Sequence, residues 1–307
     1  MHSVTSLTGG QGRAWQQQLI IVQSHMFNLR ASIRGLTMDY QRILEAVIDQ
    51  ALLAGKLLAA EYHRPSGPRG SGDKAVVDLE IETHLRAAML DILDCDFWGE
   101  ETGARLDGTE HCWVVDPNDG TADYLRGLKG SAISIGLLCQ ARPVLGVVYA
   151  PVTRFRGPDC IAWAKGMTRI QRNGEMINSS LSCLELQPGT SVLVSSAARE
   201  KPGINAELCA PALPIPTTSV AYRLAAVGAG DAVAGVSLVA TSAHDLVAGH
   251  AILIGAGGVL IDEAGRNIIY DTQARLAVTS ERCFGGAPAA CHELVLRDWN
   301  RIFCGQS

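Results

Sequence analysis

The sequence lacks any apolar run long enough to cross a membrane, and it lacks a stripe of basic residues. Its longest apolar stretches, 132–139 and 144–149, are far shorter than the roughly 18 residues that a membrane span needs. The formal net charge is -5 at pH 7, and the Lys and Arg residues are scattered along the chain. Because proteins that bind nucleic-acid polymers gather basic residues on one face, we expect a soluble protein whose partners include neither membranes nor such polymers.

Paired cysteines are also missing. The chain has nine cysteines, an odd number, and no two of them have the spacing of a CxxC motif. Most lie within apolar stretches, which favours reduced, buried thiols over a disulfide framework or a zinc site. We therefore expect a cytoplasmic protein.

The chain does contain enough apolar residues for large cores. With 307 residues, 47% of them hydrophobic, it can form one large or two medium-sized domains. Residues 1–37 have no convincing signal-peptide pattern, so we interpret them as a disordered extension or the product of an upstream start, with a packed extra helix as the alternative. We assign 38–186 to an N-terminal domain and 187–307 to a C-terminal domain.

Hydrophobic spacing predicts the order of the elements. Apolar residues recur every three or four positions from Ile43 to Gly55 and again over 79–93, which predicts two helices joined by a loop at 65–72. Short apolar runs predict strands of one sheet at 112–115, 132–138, 144–149 and 160–164. Strand-like and helix-like runs then alternate at 192–194, 222–228, 245–256 and 259–261. We place the domain boundary between these two groups, at 184–190.

The most informative segment has two aspartates three residues apart, directly after an apolar strand. It reads Asp116-Pro-Asn-Asp119-Gly-Thr. The proline fixes φ between the acids, so both carboxylates can point to one side, with the Asn carbonyl turned to the same point. The glycine permits close approach of the backbone, and N–H groups at a helix start suit a phosphate. The alternative is a plain surface turn, because each of these residue types favours turns.

Two further acidic motifs accompany this segment. Trp98-Gly-Glu-Glu101 lies upstream, and Ala243-His-Asp-Leu-Val-Ala-Gly249 lies downstream. In this order, the three segments resemble the Gly-Glu-Glu, Asp-Pro-x-Asp-Gly-Thr and Trp-Asp-x-Ala-Ala-Gly motifs of the inositol monophosphatase superfamily, and Asp78-x-x-x-Glu82 resembles its upstream acidic helix. The resemblance extends from about residue 38 to near the C-terminus. It implies a mixed α and β fold, a layered αβαβα sandwich with an α+β N-terminal half and an α/β C-terminal half.

The resemblance also implies a magnesium-dependent, lithium-sensitive, homodimeric enzyme that hydrolyses a small, soluble phosphate monoester. One metal ion would be held by Glu100, Asp116 and the carbonyl of Asn118, and a second by Asp116, Asp119 and Asp245. Without cations these carboxylates would repel one another, whereas divalent ions would keep them ionised. Hard oxygen ligands favour Mg²⁺, with Mn²⁺ as the alternative. The resemblance implies two or three ions per active site.

The catalytic residues implied by the resemblance are Thr121, Asp78 and Glu100. Thr121 and Asp78 would orient and deprotonate the attacking water, and the amides of Gly120 and Thr121 would bind phosphate. Glu101 is either a neighbouring acid or a ligand of a third ion. His244 stands where the family has Trp, and we expect it to pack or to form a hydrogen bond.

The sequence departs from the family where the organic part of the substrate should bind. Family members that act on inositol phosphates carry a glutamate in the stretch that corresponds to 236–240, which has no acid here. Residues 218–223 resemble the 3'-phosphoadenosine 5'-phosphate phosphatase branch, with Ser219, Tyr222 and Arg223 as candidate substrate contacts. The alternative places Tyr222 in the core and Arg223 in a surface salt bridge.

Three other functions therefore remain open. Within the class, the alternatives are a 3'(2'),5'-bisphosphate nucleotidase and a fructose-1,6-bisphosphatase. From another class, the alternative is a non-catalytic metal-binding regulatory protein, because the contacts to an organic substrate are the least preserved part of the resemblance.

Overall fold

The computed structural model describes residues 38–304, so the interpretation of 1–37 concerns residues outside the described part of the chain. The first half contains, in chain order, α1 (Tyr40–Tyr62), β1 (Gly70–Ser71), β2 (Lys74–Ala75), α2 (Val76–Ile92), β3 (Asp96–Gly99), β4 (Ala104–Arg105), β5 (His111–Asp119), α3 (Thr121–Leu125), β6 (Ala132–Cys139), β7 (Arg142–Ala150), β8 (Asp159–Ala164), β9 (Ile170–Arg172) and β10 (Glu175–Ile177). The second half contains β11 (Ser191–Ser195), a 3-10 helix (Ser196–Glu200), α4 (Pro202–Cys209), β12 (Leu213–Thr217), α5 (Val220–Gly228), β13 (Ala234–Ser237), α6 (Ala243–Gly255), β14 (Val259–Asp262), α7 (Gln273–Ala277), β15 (Cys283–Gly286), α8 (Pro288–Val295) and a second 3-10 helix (Trp299–Ile302).

Both predicted N-terminal helices are present. Asp39 caps α1, because its carboxylate accepts hydrogen bonds of 3.1 and 3.2 Å from two backbone N–H groups of the first turn. Helix α2 begins at Val76, three residues before the predicted start. The carboxylate of Asp78 accepts a hydrogen bond of 3.2 Å from the backbone N–H of Ala75, and this bond stabilises the earlier first turn.

The first sheet has eight strands in the order β10-β9-β8-β7-β6-β5-β3-β4. Neighbouring strands are antiparallel except β3 and β5, which are parallel. The four predicted strands correspond to β5–β8, and each is longer than predicted. Helices α1 and α2 pack on this sheet and bury a core that includes Val47, Ile81, Leu85 and Ile135. Removal of this apolar surface from water stabilises the outer helical layer.

The second sheet has five strands in the order β12-β11-β13-β15-β14. Strand β11 is parallel to β12 and β13, whereas β15 is antiparallel to β13 and β14, so the sheet of the second half is mixed. Helices α5 and α6 contact both sheets, and α4 and α8 pack on the second sheet. The predicted layered αβαβα arrangement is confirmed.

One hydrophobic core joins the two halves of the chain. It includes Val148 and Trp163 from the first sheet together with Leu224, Val236 and Leu253 from the second half. Helices α5 and α6 form a layer between the two sheets and contact both, so contacts cross the predicted boundary. The division into domains at residues 186 and 187 stays a prediction.

From the sequence we expect no membrane-spanning helix and reduced, buried thiols. Between residues 38 and 304, no helix combines the length and the apolar character that a bilayer span requires. All nine cysteines lie in this part of the chain and are free thiols, and the buried ones are Cys95, Cys160, Cys209, Cys283 and Cys291.

Helix α6 crosses the first sheet at a pair of glycines. Gly136 on β6 and Gly146 on β7 face each other in the sheet register. A Cβ atom added at Gly146 would lie 2.2 Å from the backbone oxygen of Ala248, and one added at Gly136 would lie 2.5 Å from Cγ1 of Val247. Residues without side chains therefore allow the backbone of α6 to approach the sheet this closely. This contact also fixes the first turn of α6, which carries Asp245.

Replacing Gly146 with Ala is expected to destabilise the protein, because the added methyl group would collide with the backbone of α6. Overpacking of this kind costs about 1–3 kcal/mol. Gly203→Ala is the matched control: nothing lies within 4 Å of a Cβ atom added there, and Ala favours a helix over Gly by about 1 kcal/mol. Urea denaturation measures both free energies of unfolding. Equal stability of the two variants would show that α6 does not lie this close to the sheet.

Candidate metal centre

The end of β5 carries two of the predicted metal ligands on an irregular stretch of strand. In a regular strand, residues three positions apart point to opposite faces of the sheet. Asp116 pairs with Ser134 on β6, but Asp119 pairs with Ala132, so three steps along β5 match two along β6. This bulge turns both carboxylates to the same side. The backbone N–H of Asn118 donates a hydrogen bond of 2.8 Å to Oδ1 of Asp116 and fixes its orientation.

Helix α5, from the second half of the chain, holds Asp119 in place. Oδ2 of Asp119 accepts hydrogen bonds from Oγ of Ser219 (2.6 Å) and from the backbone N–H of Ala221 (2.5 Å). The next residue, Gly120, has a φ of +95°, and a Cβ atom added there would lie 3.1 Å from the backbone nitrogen of Ser219. Glycine is therefore needed at this position both for the left-handed backbone and for the close approach of α5.

Helix α6 brings Asp245 to the same place. Oδ2 of Asp245 accepts a hydrogen bond of 2.6 Å from the backbone N–H of Ser242, the residue that caps the helix. Oγ of Ser134 donates a hydrogen bond of 3.0 Å to the carbonyl of His244. Because Ser134 lies opposite Asp116 in the sheet, this bond ties the first turn of α6 to the bulge.

Three carboxylates converge where β5 meets α6. One oxygen from each of Asp116, Asp119 and Asp245 lies within 4.8 Å of the others. Burial, reinforced by the charges of Glu100, Asp119 and Asp245, raises the pKa of Asp116 well above its usual range. Burial and the charge of Asp245 raise the pKa of Asp119 to about 7, and burial raises the pKa of Asp245 to about 6. Without protons or cations the arrangement is electrostatically unfavourable.

Glu100 and His244 extend the cluster on one side. Glu100 follows β3, and its side chain is 35% exposed. Its pKa is raised to about 8, first by removal from water and then by the charges of Asp245 and Asp119. Nε2 of His244 lies 4.0 Å from Oε1 of Glu100. One possible ligand atom from each of Glu100, Asp116 and His244 lies within 4.8 Å of the others.

These side chains fit divalent cations. Between residues 38 and 304, two sets of three side chains bring their possible ligand atoms within 4.8 Å of one another, and both sets include Asp116. Carboxylate oxygens are the ligands that hard divalent ions prefer, and such ions remove the repulsion that raises the pKa values. The binding of metal ions by Glu100, Asp116, Asn118, Asp119 and Asp245 stays a prediction.

The predicted proton-handling residues lie together beside this cluster. Oγ1 of Thr121 lies 3.1 Å from Oδ2 of Asp78 and 2.8 Å from the carbonyl oxygen of Asn118. Nδ2 of Asn118 donates a hydrogen bond of 3.0 Å to Oδ1 of Asp78. Burial raises the pKa of Asp78 to about 6, and the hydrogen bonds from Asn118, Ala75 and Thr121 oppose this rise. Asp78 is thereby joined through one oxygen to the end of β5 and through the other to the first residue of α3.

Sequence reasoning gave no role to Glu82, which supports the loop after β3. Its carboxylate is fully buried. It accepts hydrogen bonds from the backbone N–H groups of Glu101 (2.9 Å) and Thr102 (2.6 Å). A Cβ atom added at Gly99 would lie 2.1 Å from Oε1 of Glu82, so glycine is needed where the loop begins. The sequence feature that could have revealed this role is the four-residue separation of Glu82 from Asp78, which places both acids on one face of α2.

Two of the three predicted substrate contacts have other partners. The hydroxyl of Tyr222 donates a hydrogen bond of 2.7 Å to Asp159, which also forms an ion pair with Arg172. Arg223 is buried, and its guanidinium donates to the backbone oxygens of Val236 (2.5 Å), Thr217 (3.1 Å) and Thr218 (3.1 Å).

The predicted contacts of Tyr222 and Arg223 with a base and a second phosphate stay predictions, although both polar groups have partners inside the protein. The alternative placed Tyr222 in the core, and Tyr222 is buried there. It also placed Arg223 in a surface salt bridge, which is wrong, since Arg223 is 3% exposed and its guanidinium donates to backbone oxygens. Ser219, the third candidate, gives its hydroxyl hydrogen bond to Asp119.

Comparison with known proteins gives the same assignment as the motifs. The chain matches the model of the inositol monophosphatase family over residues 39–302. It is 27% identical over 252 residues to inositol monophosphatase 2 of Solanum lycopersicum, which covers 76% of this chain and 92% of that protein. It is 32% identical over 119 residues to the fructose-1,6-bisphosphatase/inositol-1-monophosphatase of Aquifex aeolicus, which covers 37% of this chain and 45% of that protein.

A solved structure has the same fold. The inositol monophosphatase from Anabaena superposes with a TM-score of 0.65 at 22% sequence identity, covering 84% of this chain and 95% of that one. Because the family model spans nearly all of the described residues, the chain belongs to the inositol monophosphatase family of phosphoric monoester hydrolases.

Proposed function

We propose that the protein hydrolyses a small, soluble phosphate monoester with the help of Mg²⁺ ions bound at the acidic cluster. The observation that carries this proposal is the convergence of Asp116, Asp119 and Asp245 within 4.8 Å of one another, next to the hydrogen-bonded pair of Thr121 and Asp78. Carboxylates that raise one another's pKa values in this way favour the binding of divalent ions.

The residues divide into two ligand sets in this proposal. Glu100, Asp116 and the carbonyl of Asn118 would hold one ion, while Asp116, Asp119 and Asp245 would hold the other, with Asp116 common to both sets. The chemistry that bound divalent ions would supply is a lower pKa of water, a polarised phosphoryl group and a stabilised leaving oxygen. The amides of Gly120 and Thr121 bind the phosphate at the turn after β5.

Thr121 and Asp78 receive the proton of the attacking water. The hydroxyl of Thr121 donates its hydrogen toward Asp78 or the carbonyl of Asn118, which leaves an oxygen lone pair free to accept the proton of water. As that proton moves to Thr121, the proton of Thr121 passes to Asp78. The two hydrogen bonds that Asp78 accepts from Ala75 and Asn118 hold its oxygens in position for this transfer.

The proposal does not specify the organic part of the phosphate monoester. Residues 236–240 offer no acid to bind ring hydroxyls. Since Tyr222 and Arg223 are used inside the protein, the residues that favoured a 3'(2'),5'-bisphosphate nucleotidase no longer do so. The intact acidic cluster argues against a non-catalytic regulatory protein.

Three further properties belong to the same proposal. We expect inhibition by Li⁺ and assembly as a homodimer, as the family resemblance implies. We expect a cytoplasmic location, because all nine cysteines are free thiols.

Asp119→Asn is expected to lower Mg²⁺-dependent phosphate release by about a thousandfold, or ~4 kcal/mol in the activation free energy, because it removes one ligand charge at the cluster. Phosphate release is measured on a panel of sugar, inositol and nucleotide phosphates, with and without Mg²⁺.

The matched control is Asp271→Asn, which changes an exposed carboxylate paired with Arg275 at 2.8 Å. This control should keep full activity. Undiminished turnover in Asp119→Asn would contradict the mechanism, whereas absence of turnover on every compound by the unmodified protein would favour the non-catalytic alternative.

Thr121→Val is expected to lower kcat by about 10²–10⁴-fold, since it keeps the shape of the side chain but removes the hydroxyl that takes the proton. Thr121→Ser keeps the hydroxyl and should retain most of the activity with a similar KM. Steady-state kinetics on the best substrate of the panel separates the two effects. If the Val and Ser variants have equal kcat values, Thr121 does not handle the proton.

Stabilisation by Mg²⁺ is expected to grow as the pH rises from 5 to 8. The pKa values of Asp245, Asp119 and Glu100 are raised to about 6, 7 and 8, so the metal-free folded protein binds more protons than the unfolded chain in this range. The free energy of unfolding of the metal-free protein therefore falls as these groups lose protons with rising pH. Mg²⁺ binds the ionised carboxylates in place of the protons and so restores this stability.

Thermal unfolding with EDTA and with Mg²⁺ at each pH measures this difference. In Asp119→Asn the dependence on pH should be weaker, because one titrating group is absent. A Tm increment that is the same at pH 5 and pH 8 would show that these carboxylates do not bind the ion.

A further inference from the structure

The imidazole ring of His244 lies at the acidic cluster and forms no hydrogen bond with the described residues. It precedes Asp245 in the first turn of α6, and its side chain is 18% exposed. Its Nδ1 atom is buried and has no hydrogen-bond partner among the described residues. Nε2 lies 4.0 Å from Oε1 of Glu100, which is too long for a hydrogen bond.

Other histidines in the described part of the chain are different. A ring nitrogen lies within hydrogen-bond distance of a partner in His84 (3.1 Å), His111 (2.9 Å), His250 (3.0 Å) and His292 (2.7 Å). His63 has an exposed ring beside Tyr62. In His244 no hydrogen bond to the described residues occupies Nε2, the ring nitrogen that lies 4.0 Å from Glu100, so this atom is available to bind a ligand.

The 4.0 Å separation suits a shared ion. Two ligand atoms that each lie about 2.1 Å from one metal ion are separated by at most about 4.2 Å. One ligand atom from each of His244, Glu100 and Asp116 also lies within 4.8 Å of the others. The backbone on both sides of the ring is fixed, since the carbonyl of His244 accepts from Ser134 and its N–H donates to Ser242.

We infer that His244 is a nitrogen ligand of the ion held by Glu100 and Asp116. This inference rests on the proposed function, because it concerns the first of the two ligand sets. That set then contains nitrogen and oxygen, whereas the set of Asp116, Asp119 and Asp245 contains carboxylate oxygen alone.

A mixed set changes which ion binds. Imidazole nitrogen raises the affinity for first-row transition ions such as Mn²⁺, Co²⁺ and Zn²⁺ more than it raises the affinity for Mg²⁺, which prefers oxygen. The first site therefore selects a transition ion over Mg²⁺, and the second site keeps the preference for Mg²⁺. The protein binds two chemically different ions.

Pulsed EPR of the Mn²⁺-loaded full-length protein tests this inference directly. A coordinated imidazole couples its ¹⁴N nucleus to the electron spin, and growth with ¹⁵N-labelled histidine replaces this signal by that of ¹⁵N. We expect the coupling in the unmodified protein and in the surface control His63→Phe. We expect it to be absent in His244→Phe.

Calorimetric titration provides the second measurement. In His244→Phe, Mn²⁺ affinity at the first site should fall by at least about tenfold. Loss of a side chain that only supports a metal ligand already lowers metal affinity by about 10–100-fold, and loss of a ligand should cost no less. Mg²⁺ affinity should fall less.

The outcomes distinguish this inference from the proposed function. Mn²⁺ that binds to the unmodified protein without histidine nitrogen coupling overturns the assignment of His244 and leaves the two carboxylate sets in place. If the unmodified protein binds neither Mn²⁺ nor Mg²⁺, the proposed function is wrong as well. The spectrum of the unmodified protein decides the question even where His244→Phe does not fold.

Discussion

Mutual repulsion among buried carboxylates is the constraint on which the rest of the site depends. Asp116 is 1% exposed and lies beside Asp119 and Asp245, so their charges cannot be screened by water. The protein supplies hydrogen-bond donors to each carboxylate, from Asn118, Ser219, Ala221 and Ser242. These bonds orient the oxygens but leave most of the negative charge uncompensated. Protons or divalent ions neutralise the remaining negative charge. The positions of the carboxylates therefore determine their pKa values.

The cluster can form only when both halves of the chain are folded. Strand β5 supplies Asp116 and Asp119, while α5 holds Asp119 and α6 supplies Asp245. The close contact of α6 with the paired glycines of β6 and β7 sets how far the first turn of that helix reaches. A packing feature in the core therefore controls the separation of the carboxylates in the acidic cluster.

Much of the fold and of the acidic cluster could be predicted from the sequence, because local patterns determine them. The spacing of apolar residues predicted α1 and strands β5–β8, and the Asp-Pro-Asn-Asp-Gly-Thr segment predicted the paired acids. The direction in which a helix presents its side chains depends instead on long-range packing. Arg223 and Tyr222 point into the protein for this reason, and the ring of His244 faces Glu100 only because α6 crosses the sheet as it does. The antiparallel β15, Cys-Phe-Gly-Gly, has no strand pattern that could have revealed it.

The helical layer shared by both sheets also limits how the molecule can move. Since α5 and α6 contact both sheets, one hydrophobic core extends across the two halves of the described chain and opposes a hinge motion between them. The β1–β2 hairpin lies outside this shared layer. It has two paired residues in each strand, and the charges of Asp73 and Lys74 act on Glu101, the neighbour of Glu100. Substitutions in this ribbon can therefore change the electrostatic potential at the acidic cluster while the positions of the ligand side chains stay unchanged.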